Sequence, residues 1–144
     1  MTDSPSAFPG AARGTGPASS GDDVAPDGPT SVVDAYHQAW TTGDIDVAMS
    51  HLSDDVRCVA PGEGVRTKQD WRAYLAGFQP MLTGAPEHAR MARGEQVAVW
   101  YYPQTASTST ALASELFTVR GGRITDIRLT FDRLSYGPPS RQTP

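Results

Sequence analysis

The chain has a single cysteine, Cys58, in 144 residues. An internal disulfide is therefore impossible. One thiol and three scattered histidines also make a poor zinc site, and no metal ligand set is expected. No apolar run approaches the length needed to span a bilayer. The N-terminus lacks the charged-then-apolar pattern of a secretory signal, which predicts a cytoplasmic protein. Lysine and arginine do not cluster, and the net charge is −4, so a nucleic-acid partner is not expected. Hydrophobic residues are only 38% of the chain, against 14 glycines and 12 prolines. Such a composition fits one compact domain flanked by unfolded ends.

The first such end is residues 1–29, rich in Pro, Gly, Ser, Ala and Asp, with Phe8 as its one aromatic. It cannot bury enough apolar surface to offset the entropy of ordering. Residues 135–144 form a second, shorter tail. The folded domain is expected over 30–134. Thr30 or Ser31 can cap a first helix, Asp34 suits its first turn, and Val32, Val33, Tyr36, Ala39 and Trp40 recur at helical spacing. Gly43 ends it. Asp44 then caps a short second helix running to Leu52, which Ser53-Asp54-Asp55 breaks. On this reading Asp54 and Asp55 are punctuation, their side chains satisfying nearby backbone groups. A strand follows, with Val56, Cys58 and Ala60 on one face. Thr67 caps a third helix whose apolar stripe is Trp71, Tyr74, Leu75 and Phe78. Four strands are then predicted, over about 87–94, 96–102, 111–120 and 123–133. Gly121-Gly122 is a two-residue hairpin turn. Helices first and antiparallel strands afterwards define an α+β fold, with three N-terminal helices packed on a curved, mostly antiparallel sheet.

This order of elements, carried by "AYHQAWTTGDIDVAMSHLSDDVRCVAPG", "WRAYLAGF" and "SELFTVRGGRITDIRLTFD", resembles the nuclear transport factor 2-like superfamily. Within it, the chain is similar to SnoaL-like polyketide cyclases and ketosteroid isomerases. The resemblance implies a cone-shaped half-barrel with a deep apolar pocket, a homodimer, and a hydrophobic small-molecule ligand handled without a cofactor. Enzymes, binding proteins and dimer scaffolds share this fold, so it does not fix the activity.

Candidate residues follow from both sources. Ketosteroid isomerases place a general-base aspartate before a Pro-Gly-like turn, and "CVAPG" puts Ala60 there, which cannot move a proton. The Asp–Arg–Asp relay of limonene-epoxide-hydrolase-type enzymes is also missing. Tyr36 falls at the isomerases' oxyanion-donor position on the first helix, where an ordinary core tyrosine is the competing reading. Glu115 lies in "ALASELFTV", on the face shared by Ala113, Phe117 and Val119. A carboxyl there is costly unless paired or protonated, and the resemblance puts the cyclases' pocket acid at this position. Glu115 and Tyr36 are thus the catalytic candidates. Trp71, Tyr74, Trp100, Leu129, Phe131 and Cys58 are candidates for the pocket wall. His37, His51 and His88 read as surface or helix-edge residues. The expected activity is that of a cyclase, isomerase or dehydratase acting on a polyketide-like molecule in secondary metabolism, with Glu115 moving the proton next to a carbonyl. The alternatives are a non-catalytic binding protein and a dimeric interaction module.

Overall fold

A computed structural model describes residues 28–136, apart from Glu63. Most of the two expected tails, 1–29 and 135–144, lies outside the described residues. Where the ends are described they belong to the domain. Pro29 is the first residue of helix α1 (Pro29–Thr41), and Ser135 and Tyr136 close a 3-10 turn (Arg133–Tyr136).

Helix α1 differs from expectation at its start. Gly28 is the N-cap, and no side chain caps the helix. Pro29 explains this, because its fixed φ and missing N–H suit the first helical position. Asp34 lies beyond the first turn and pairs with Arg90 instead. Gly43 follows the helix at φ +96°, a left-handed conformation that favours glycine.

Helix α2 (Ile45–Ser50) is shorter than expected, and Asp44 is its N-cap without a side-chain bond. Strand β1 (Leu52–Val59) takes Leu52 and the whole Ser53-Asp54-Asp55 triplet. Asp54 and Asp55 are therefore exposed strand residues, not a helix stop. Leu52 aligns with Ile124, and both are fully buried. Burying such a side chain contributes about 1.5–3 kcal/mol, more than extra helical residues supply. Asp54 pairs with Lys68, whose Nζ also donates to the Leu52 carbonyl.

Helix α3 (Lys68–Phe78) begins as the sequence predicts. Thr67 accepts a hydrogen bond from the Asp70 backbone N–H. Trp71 and Leu75 are buried, with Tyr74 and Phe78 partly so. A 3-10 turn (Gln79–Met81) leads to strands β2 (Glu87–Arg93), β3 (Gln96–Tyr101), β4 (Ala113–Arg120) and β5 (Arg123–Thr130). Gly121 and Gly122 both have positive φ, as a tight hairpin turn of this length requires.

The five strands form one sheet in the order β1-β5-β4-β3-β2. The β1–β5 pair is parallel and the other three are antiparallel. The register shifts in the β1–β5, β2–β3 and β4–β5 pairs, and such irregularities increase local twist and bend the sheet. One of them sets the faces of β5. Thr125 is the extra residue, so Ile124 and Ile127 are both buried although three apart. The helices cover the concave face, where Tyr36, Trp71, Phe117, Leu52, Ile124 and Ile127 form the core.

Candidate functional site

The concave face is not filled to its end. A cavity opens between α1, α3 and the far ends of β3, β4 and β5. Helix α1 contributes Trp40, and α3 contributes Tyr74, Leu75 and Phe78. The sheet and its following loop contribute Tyr101, Pro103, Ala113, Glu115 and Leu129. Phe131 and Tyr136 close the rim. The space between atoms is about 390 Å³, part of it open to solvent, and about 40 Å³ admits the centre of a water molecule. A ring-sized ligand therefore enters only if the rim side chains part. Tyr136 sits edge-on to Phe78 and Phe131, and its hydroxyl donates to the Ala111 carbonyl.

Among the described residues of this wall, Glu115 bears the charge. Alternation along β4 turns Ala113, Glu115, Phe117 and Val119 inward, and all four are buried. Val99 and Leu129 are its cross-strand neighbours. The Glu115 side chain is 1% exposed. Two groups meet its carboxyl. Tyr101 hydrogen-bonds to it. His37 Nε2 lies 3.3 Å from Oε1, but neither atom has a partner that meets hydrogen-bond geometry. The His37–Glu115 contact is thus an electrostatic approach without alignment. The imidazole is 16% exposed and edge-packed on Tyr101 and Trp40. On its outer side Arg90 joins Asp34 and Glu87 in an ion-pair cluster, and the field of His37 reaches Glu87. Glu87 is held below the usual carboxylate range, chiefly by its hydrogen bond from Arg90.

The phenols around Glu115 stay protonated. Burial, and then the neighbouring Glu115 charge, pushes Tyr36 and Tyr101 well above their ordinary 10. Tyr36 does not line the cavity. It lies in the core, edge-on to Phe117, and accepts a 2.9 Å hydrogen bond from Trp71 Nε1.

The expected wall residues divide evenly. Tyr74, Leu129 and Phe131 line the cavity; Trp71, Trp100 and Cys58 do not. Trp71 is fully buried behind Tyr74, its ring stacked on it. Trp100 lies on the other side of the sheet, because Val97, Val99 and Tyr101 point inward and alternation turns it out. Cys58 is core filler beneath the site. Burial, then the charges of Glu115 and Asp126, pushes its thiol up to about 12, which makes it inert. Ala60 is buried just before the Pro61-Gly62 turn and brings no polar group. Asp132 caps the final 3-10 turn, accepting from Leu134 N and Ser135 Oγ.

His37 lies on the edge of α1, and that edge meets the Glu115 carboxyl, a contact with a partner far along the chain. Its position three residues after Asp34 and three before Trp40, on the margin of the apolar stripe, was the available signal. His88 is exposed beside Tyr102. Among the described residues no group of three or more His, Cys, Asp or Glu could hold a metal ion. No described helix is long and apolar enough to cross a membrane.

A few helices on the concave face of an unclosed, mostly antiparallel sheet, with a pocket at the open end, define the nuclear transport factor 2-like fold. The chain belongs to the SnoaL-like domain family, which matches residues 33–127. Among solved structures it is similar to a protein from Kribbella flavida, with 30% identity and a TM-score of 0.71, over 78% of this chain and 92% of that one. IdmH from Streptomyces antibioticus, a proposed polyketide cyclase, shares the fold at 16% identity and a TM-score of 0.65, over 74% of this chain and 94% of its own. TerC, co-crystallised with polyporic acid, does so at 21% identity and a TM-score of 0.61, over 75% and 94%. No curated protein matches.

Proposed function

We propose that the protein is a cofactor-independent acid–base enzyme acting on a hydrophobic small molecule next to a carbonyl group. One observation carries this reading: Glu115 is a fully buried carboxyl in the wall of an otherwise apolar cavity, and Oε1 has no hydrogen-bond partner. Such an arrangement is costly for folding alone, and it is what a base in a dry pocket requires. The fold shared with a proposed polyketide cyclase and with a polyporic acid complex supports a ligand of this kind.

In the proposed reaction Glu115 takes a proton from the carbon beside the carbonyl. The C–H electron pair becomes a C=C bond, and the carbonyl π pair moves to oxygen as an enolate. The enolate then attacks a second electrophilic carbon, is reprotonated at another carbon, or expels a β-hydroxyl as water. In each case the proton held by Glu115 is returned. Tyr101 steadies the carboxyl through its hydrogen bond. His37 stands between Glu115 and the outer Asp34–Arg90–Glu87 cluster, a position suited to passing the proton to solvent. Tyr36 is support for the core, since its hydroxyl already holds Trp71.

The test is deuterium exchange at the α-carbons of 2-indanone in D2O. Wild type is expected to accelerate it, and Glu115→Gln to lose the acceleration. Ligand binding without exchange in wild type favours the non-catalytic binding protein instead. A homodimer is a further part of this reading. The sheet's outer face carries Met91, Ala98 and Leu116 in one cross-strand row, with Trp100 beside it. Sedimentation equilibrium giving a monomer mass at micromolar concentration argues against that dimer.

A further inference from the structure

Glu115 is not the cavity's one unanswered polar group. Trp40 lines the same cavity from α1, is 2% exposed, and its indole N–H is buried without a hydrogen-bond partner. The other polar side chains of the wall are engaged. Tyr101 is bonded to Glu115, Tyr136 donates to Ala111, and Tyr74 lies between Trp71 and Arg66. The described wall therefore holds an indole donor without a partner, Trp40 Nε1, together with the Glu115 carboxyl, whose Oε1 is approached by His37 at 3.3 Å without hydrogen-bond geometry. A buried indole N–H left unmet costs stability, so this pair has an unfilled complement. Among the described residues no lysine or arginine lines the cavity. An anionic ligand would meet the carboxyl with no cation to balance it.

We infer that the ligand is a neutral, largely apolar carbonyl compound whose oxygen accepts a hydrogen bond from Trp40 Nε1. This rests on the proposed function for the role of Glu115, and it supplies what Tyr36 does not, a donor at the oxygen where charge develops. Trp40 is then a binding residue that also selects for the carbonyl. An indole N–H is donor-only, so it recognises an oxygen acceptor and gains nothing from a hydrocarbon of the same shape.

The probes are 2-indanone and indane, which differ by the carbonyl. Titration of ¹⁵N-labelled full-length protein follows the indole N–H resonance of Trp40, assigned as the one missing in Trp40→Phe. The expected result is a downfield shift with 2-indanone and none with indane. Trp40→Phe is expected to bind 2-indanone roughly tenfold more weakly and indane unchanged, which also shows that the variant is folded. Equal shifts with both probes, equal weakening for both, or no binding of 2-indanone overturns the inference. α-Carbon exchange in D2O separates the two readings. A Trp40 shift without exchange keeps the carbonyl ligand and sinks the proton transfer. Exchange without a Trp40 shift keeps the proton transfer and overturns the Trp40 contact.

Discussion

Replacing Tyr36 by phenylalanine separates support from chemistry at the one position where the family resemblance and the observed contacts disagree. The resemblance implies an oxyanion donor. The observed hydroxyl accepts a 2.9 Å bond from Trp71 Nε1, and both side chains are fully buried. The variant leaves the Trp71 indole N–H buried and unmet, which costs about 1–3 kcal/mol. For a domain of this size each kcal/mol lowers the melting temperature by roughly 4 °C, so a fall of about 4–12 °C is expected. The phenol does not reach the cavity, so α-exchange of 2-indanone below the transition should stay within about threefold of wild type, far short of the roughly 100-fold loss typical of removing an oxyanion donor. Calorimetry gives the first number and NMR-detected exchange the second. An unchanged melting temperature together with a 100-fold slower exchange would refute the structural assignment and return Tyr36 to the substrate.

Three further outcomes are expected. His37→Gln should slow 2-indanone exchange by about 100-fold, at the low end of acid–base contributions, with little change in KM; an unchanged kcat rules out the relay. Cys58 has its thiol raised from 9.0 to about 12, so its contribution is complete below pH 9 and is lost as pH rises from there. Stability from urea denaturation should then fall more steeply between pH 9 and 10 for wild type than for Cys58→Ala, by about 1 kcal/mol over that unit, and equal slopes contradict the burial argument. Glu87 has the opposite sign. Its lowered folded value makes its stabilisation present above its ordinary 4.5 and lost as pH falls. Because it is partly exposed, Glu87→Gln should cost no more than about 1 kcal/mol at pH 7, and progressively less as pH falls below 4.5; a cost that does not decline with falling pH assigns it to packing.

Local chemistry made several elements legible in the sequence. Thr67 three residues before Asp70 marks the start of α3, Gly121-Gly122 marks the last hairpin, and alternation in "ASELFTV" puts Glu115 on one face with Ala113, Phe117 and Val119, while only the helices packed on that face make it the inner one. The same alternation, applied to "VAVWY", would have turned Trp100 away from the pocket. Other features depend on partners distant in the chain. Leu52 left its helix for a strand because it packs beside Ile124. Trp71 faces inward as its stripe predicts, but its N–H is taken by Tyr36 on another helix. His37 and Glu115 meet only because α1 crosses the sheet over β4, and the spacing of a histidine along its own helix cannot report that. The bulge at Thr125 puts Ile124 on the same face as Ile127, and the alternation from Ile127 to Phe131 does not announce it.

The claim that matters most is that Glu115 is a working base. Glu115→Gln keeps the side chain's size while removing its capacity to take a proton. The direct measurement is the rate of deuterium incorporation into 2-indanone in D2O, for wild type and variant at equal ligand occupancy. Wild type is expected to accelerate exchange, and the variant to lose at least about 100-fold with 2-indanone still bound. Undiminished exchange by Glu115→Gln would contradict it.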